Sequence, residues 1–191
     1  MGTAFTDVYN RFLGKITDDM YMELTPEDTI KDLRRLLIDA IPGFEFPRKN
    51  IGDYVLESLV IDEDQVQDGD YIIGVVWDEL NDGEYHTAQV LIERSYFNSD
   101  LTSEEINILA LLMMCAWLQR QITSIENTRM KYSGSDFKFT SQANHLAKLL
   151  SLLEECHRQE FHMQRLYKRR RVGEEGIFES NWDVFNTYGT T

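Results

Sequence analysis

The chain has 191 residues, 42% hydrophobic and 27% charged, an ordinary make-up for a globular protein with enough length for one real core. Its formal net charge is -14, and the excess is uneven: residues 1–100 hold 22 Asp and Glu against 8 Lys and Arg, whereas residues 101–191 hold 11 of each. A protein built to grip nucleic acid shows a basic stripe, so this balance argues against DNA binding over most of the surface. It leaves two readings open: charge that serves solubility, or a surface that repels DNA or meets a basic partner.

The longest strongly apolar run without a charge covers residues 106–118, too short to span a bilayer, so no membrane span is expected. The first fifteen residues carry neither a basic start nor a long apolar run, and no secretory signal is expected. The two cysteines, Cys115 and Cys156, lie inside apolar helical patterns and read as reduced core thiols rather than a disulfide framework.

Along the chain, Phe5, Val8, Tyr9, Phe12, Leu13 and Ile16 recur at helical spacing and predict a short amphipathic helix. Thr25-Pro26-Glu27-Asp28 opens a second: Thr25 caps, Pro26 suits the first helical position, and the acids fill the first turn. Ile30, Leu33, Leu37 and Ile41 form its apolar face, and Pro42-Gly43 ends it. Residues 54–61 and 71–77 then read as strands, and Asn81-Asp82-Gly83 as the turn returning the chain into a strand near residues 86–93. The loop at residues 62–70 holds five carboxylates, with Asp62, Asp64 and Asp68 partly matching a calcium loop. The glycine and terminal Glu of that motif are misplaced, so a solvated acidic loop is expected.

Residues 101–171 contain two long helical segments. Thr102-Ser103-Glu104-Glu105 is a capping box starting a helix that runs to about Asn127, apolar almost all round its middle. A helix of that kind is buried by several neighbours or by other chains. Ile108, Leu111, Leu112, Cys115 and Leu118 therefore become candidates for a subunit interface. The second helix starts near Thr140 or Ser141 and runs to a basic cluster, a length of roughly 45 Å. A domain of this size has a radius of gyration of about 16 Å, so the basic end is expected to project, or the helix to bend. The segment 173–191 carries Phe178, Trp182, Phe185 and Tyr188, four rings that suggest docking on the chain's own body or on a neighbour.

No catalytic constellation emerges. His157 and His162 are five residues apart, about 140° round a helix, and do not make a ligand pair with Cys156. Cys115 has no nearby base, and Ser133-Gly134-Ser135 lacks the spacing and lysine of a phosphate loop. We therefore expect no enzyme activity, cofactor or metal. Arg165, Lys168, Arg169, Arg170 and Arg171 form the one dense basic cluster. Favourable charge at a helix C-terminus is one explanation, and contact with an acidic partner or with phosphate is the other.

The pattern LTSEEINILALLMMCAWLQRQI, the following SGSDFKFTSQANHLAKLLSLL and the helix end YKRRR resemble the head–tail connector proteins (adaptor, head-completion or neck proteins) of tailed bacteriophages. The resemblance covers roughly residues 97–171 and is one of pattern, without a diagnostic motif. It implies a small helical protein with an inserted strand segment, forming a homo-oligomeric ring, commonly twelve-fold, beneath the portal protein. C-terminal extensions in the family dock on the portal, and genomic DNA passes through the ring without specific binding. It also implies a virion protein of the head–tail junction, assembled in the host cytoplasm, with tail or neck proteins as further partners. The larger strand insert and long N-terminal region depart from the smallest family members. A tail-terminator or tail-completion role and a nucleic-acid-binding regulatory protein are the alternatives.

The expected fold is thus α+β and mainly helical: N-terminal helices at 1–43, an inserted antiparallel β-hairpin or small sheet at 44–100, a long helical pair at 101–172 and a docking tail at 173–191.

Overall fold

A computed structural model describes residues 2–16, 20–67, 70–79, 85–131, 140–172 and 178–179. Helix α1 (Phe5–Leu13) buries Phe5, Val8, Tyr9 and Phe12, the three- and four-residue spacing that puts side chains on one face. A single turn, α2 (Met20–Glu23), leads to α3 (Pro26–Ala40). The α3 start is as expected: the Thr25 hydroxyl oxygen accepts the Asp28 backbone N–H at 3.2 Å, and Pro26 occupies the first turn. Helix α3 buries Ile30, Leu33, Leu36, Leu37 and Ala40, then tightens into a 3₁₀ turn at Ile41–Gly43. A Cβ at Gly43 would sit 2.9 Å from Leu112 Cδ2, so glycine lets this turn pass close over the next long helix.

The inserted region forms two antiparallel sheets. Strands β2 (Ser58–Asp62), β3 (Tyr71–Glu79) and β4 (Tyr85–Glu93) pair in the order β2-β4-β3, and β1 (Tyr54–Val55) pairs with β5 (Tyr96–Phe97). The turn at residues 81–83 lies outside the described residues; β3 and β4, the strands it is expected to join, pair antiparallel with Glu79 opposite Tyr85. One continuous strand over residues 54–61 is corrected to two. At the break, Glu57 N–H donates to Ser95 Oγ at 3.1 Å and Arg94 N–H to the Glu57 carbonyl at 3.0 Å, so the ladder changes partner there. The β1–β5 pair is sewn to the chain start, with Phe5 N–H donating to Ser95 O at 2.9 Å and Phe97 N–H to Thr3 O at 2.8 Å. The Phe5 and Phe97 rings stack 4.6 Å apart there.

Two long helices complete the fold, α4 (Ser103–Lys131) and α5 (Thr140–Arg169). The capping box is formed: Thr102 N–H donates to Glu105 Oε2 at 2.7 Å, and Glu105 N–H to Thr102 Oγ1 at 3.3 Å. The helices run antiparallel, with Glu105 meeting Tyr167 and Cys115 meeting Cys156. Two short strands, β6 (Arg171–Val172) and β7 (Phe178–Glu179), pair after α5. The fold is α+β and mainly helical, with an antiparallel sheet inserted between helices. Its main core joins α1, α3, α4, Tyr167 of α5 and Ile73 and Phe97 of the sheets. A smaller cluster of Cys115, Leu118, Ile122, Leu153 and Cys156 binds α4 to α5.

Candidate assembly surface

The apolar circumference of α4 is consumed inside the chain. Ile108 and Leu118 have no exposed surface, and Leu111 and Cys115 retain 5% each. Leu112 is half-buried and packs on the main core beside Gly43. Helices α1, α3 and α5 supply the neighbours that the sequence pattern demanded, so these residues are corrected from a subunit interface to core. The apolar stretch is also longer than its uncharged run: Ser103–Asn127 is long and apolar enough to cross a membrane by length and composition. Its packing is that of a core helix, since half of that window is buried in the fold and Arg120 is held by Asp32.

Large apolar side chains reach solvent elsewhere: Leu24, Phe46 and Leu56 singly between elements, and two groups on α5 and the three-stranded sheet. On α5, Leu150 and Leu152 are each 43% exposed and Phe161 is 60% exposed. Leu150 and Phe161 are eleven residues apart, which brings them to within about 20° of each other round the helix. On the three-stranded sheet, Val60, Ile72 and Val75 on the outer strands are about half exposed, Ile72 and Val75 on one face and Val60, opposite Leu91, on the other. Ile72 pairs across to Ile92 and Val75 to Val90, so the exposed pair flanks two buried residues of the central strand. Neither set stood out in the sequence, because β-branched residues in a strand and leucines in a helix are what any core would use.

The basic end of α5 does not project. Arg165, Lys168, Arg169 and Arg170 are exposed at the helix end, and Lys168 and Arg170 are among those engaged by the chain itself. Lys168 Nζ sits 3.8 Å over the Phe46 ring, and Arg170 Nη1 donates to Glu104 Oε1 at 2.9 Å. Arg171 begins β6. Arg48, which the sequence did not single out, closes the helix: its guanidinium donates to the carbonyls of Tyr167 (2.6 Å) and Arg170 and lies over the Tyr167 ring. A cation on the last carbonyls of a helix opposes the negative end of its dipole. The signal that could have found it is the run Phe44-Glu45-Phe46-Pro47-Arg48-Lys49, which alternates rings and charges. The end that extends past the core is the opposite one, where residues 144–152 of α5 are mostly exposed.

Under this basic end lies a buried polar link. Tyr167 Oη donates to Glu105 Oε1, and Glu105 is 1% exposed. Burial, then the bond to Glu105, pushes the Tyr167 phenol well above its ordinary range, so it stays a donor. Gln164 accepts Glu45 N–H at 2.8 Å and donates to Gly43 O at 3.0 Å, fastening the same loop. A second buried centre pairs Arg34 of α3 with Glu93 of β4, whose side chain has no exposure, and Arg34 also donates to Ser58 Oγ at 2.8 Å. Burial, then the Glu93 charge, raises the nearby Tyr9 phenol far above its usual range.

Among the described residues no group of three or more His, Cys, Asp or Glu could hold a metal ion. In the acidic loop, Asp70 is taken up by Arg94 at 3.1 Å and Asp62 by Gln89 at 3.2 Å; Asp68 lies outside the described residues. A shallow hollow of about 420 Å³ is lined by Leu24, Asp28, Asp32, Arg120, Gln121 and Ser124. Its strongest polar groups are already spent on each other, Arg120 gripping Asp32 with two bonds of 2.5 and 2.7 Å. Phe178 starts β7, and Trp182, Phe185 and Tyr188 lie outside the described residues. In comparisons with known proteins, no family model, no curated protein and no solved structure matches the chain.

Proposed function

We propose that this chain is a structural virion protein of a tailed phage, a head–tail connector that forms a ring beneath the portal and joins the DNA-filled head to the tail. The observation that carries the reading is the pair of separate apolar margins, Leu150 and Phe161 on α5 and Ile72 and Val75 on one face of the sheet. A ring is closed by head-to-tail contacts, in which each subunit offers two different surfaces to its two neighbours. The long-helix fold with a strand insert agrees with the resemblance of residues 97–171. The acidic first half agrees with a channel wall that repels phosphate and lets DNA slide. The rings of the tail segment, Trp182 and Phe185 foremost, would anchor the chain on the portal, aromatic residues being the usual interface anchors.

On this reading the protein has no catalytic role, and its basic helix end meets an acidic protein surface or passing phosphate. The regulatory nucleic-acid reading loses ground because Lys168, Arg170 and Arg48 are used to fasten α5. A reconstruction of the native particle tests the proposal. The expected result is a closed ring of this chain at the head–tail junction, with α5 of one copy against the sheet of the next. Absence from the particle, single non-contacting copies, or a ring at the far end of the tail would overturn it, the last in favour of a tail-terminator role.

A further inference from the structure

The chain's two cysteines are 41 positions apart in sequence and side by side in the fold. Cys115 on α4 and Cys156 on α5 place their Sγ atoms 2.8 Å apart, with the Cys115 thiol donating to Cys156. Both are unlinked thiols, 5% and 3% exposed, at the centre of the cluster that joins the two helices. No other side chain separates the sulfurs, so forming a bond asks for less than an ångström of approach.

We propose that Cys115 and Cys156 are an oxidation site, which a peroxide converts into an intrachain disulfide stapling α4 to α5. Cys156 is the attacking thiol. The hydrogen bond from Cys115 holds the Cys156 thiol below its ordinary range against the opposing effects of burial and Glu160, and Lys15 adds a positive charge. The same contact, then burial, pushes the Cys115 thiol far up. The thiolate is the nucleophile, and the sulfur that accepts the Cys115 hydrogen bond is the one whose negative charge is stabilised, so Cys156 reacts first.

The Cys156 thiolate attacks one peroxide oxygen, the O–O bond breaks, and the departing hydroxide takes the thiol's proton and leaves as water. Cys156 is then a sulfenic acid. The Cys115 sulfur attacks the Cys156 sulfur, the S–O bond breaks, and the leaving hydroxide takes the Cys115 proton as a second water. Two thiols and one peroxide give one disulfide and two waters: the sulfurs lose two electrons and the peroxide oxygens gain them. The burial of both sulfurs selects a small oxidant, because a bulky disulfide donor must first be seated in the α4–α5 seam to form its mixed disulfide.

The test treats the full-length folded chain with hydrogen peroxide, then unfolds it with an alkylating agent present. The expected product has a mass lower by two hydrogens, takes up no alkyl groups, runs as a single chain without reductant, and yields one cross-linked peptide containing Cys115 and Cys156. Oxidised glutathione applied at equal strength should give the same product more slowly. Cys115→Ser, whose hydroxyl keeps a donor beside Cys156, should stop the reaction at a sulfenic acid on Cys156 that dimedone traps, and Cys156→Ala should leave Cys115 unoxidised. The wild-type mass needs no variant to fold. Two alkylatable thiols after exposure, a link between chains, or direct conversion to sulfinic acid without a cross-link would overturn the assignment.

Discussion

Helices α4 and α5 are nearly equal in length, 29 and 30 residues, and lie against each other, yet they are held in opposite ways. Helix α4 has neighbours on several sides, and Ile108, Leu109, Ala110, Met113 and Leu118 keep no exposed surface. Helix α5 gives one stripe to α4, through Leu153, Cys156 and Tyr167, and leaves Leu150, Leu152 and Phe161 in solvent. The lesson is that an all-round apolar helix marks the centre of a fold, while a one-stripe helix can leave large apolar groups in solvent. The periodicity shows how much of a helix must be covered, but not what covers it.

The largest expected effect separates the two helices on stability. Leu118→Ala removes a fully buried side chain from α4 and should cost about 2–5 kcal/mol in urea unfolding. Leu150→Ala on α5, already 43% exposed, should cost less than about 1 kcal/mol. Equal losses at the two sites would remove the distinction between them.

The features legible in the sequence are those decided within a few residues. Thr25 and Thr102 cap their helices through the hydrogen bonds their spacing to Asp28 and Glu105 predicts. The β3–β4 hairpin and both long helices follow the same logic of turns, alternation and periodicity. What escaped is non-local. The pairing of β1 with β5, the seam between Thr3–Phe5 and Ser95–Phe97, and the meeting of Cys115 with Cys156 join residues about forty or more positions apart. Arg48 escaped because a lone cation in a loop gives no hint of the helix end it will close, over a hundred residues later. The pattern of α4 suggests a subunit interface for the same reason: local pattern cannot tell an intrachain partner from a second copy.

A smaller effect tests the polar link at the ends of the pair. Tyr167→Phe keeps the ring that packs on Phe44 but deletes the hydroxyl that serves the buried Glu105 carboxylate. Losing a hydrogen bond to a charged, buried group should cost about 1.5–3 kcal/mol, read by denaturant unfolding. A loss no larger than that of Leu150→Ala would mean that water replaces the phenol and that this end of α5 is looser than its contacts imply.

Next in size is the tie between α4 and α3. Burial opposes the Asp32 charge, but the bonds from Arg120 and Tyr21 outweigh it and hold the carboxyl below its usual range. A carboxylate whose pKa is lowered by folding adds stability above its unfolded value of about 3.9, and that stability is lost as pH falls through the folded value. Wild type should therefore exceed Asp32→Asn by about 1 kcal/mol near neutral pH, a modest figure because the Arg120 side chain is 39% exposed. The gap should close as the solution is acidified past the folded value, followed by thermal unfolding at a series of pH values. A gap that persists in acid would place the effect in packing or in the Tyr21 bond.

The smallest change in stability carries the sharpest test of assembly. Phe161 is 60% exposed, so Phe161→Ser gives up little that the isolated fold uses, and stability should move by no more than about 0.5 kcal/mol. A large ring that stays in solvent in the monomer gains most when a neighbour covers it, and such rings dominate the energy of interfaces. The substituted chain should therefore fold normally yet associate more weakly, seen as a lower mass by light scattering over a concentration series or as fewer copies bound per portal. Because a ring repeats the same contact at every seam, a modest loss per contact multiplies round the circle and should abolish closure well before it abolishes pairing. Ring formation at wild-type levels with serine at this position would take α5 out of the subunit contact and leave the sheet face at Ile72 and Val75 as the surface to examine.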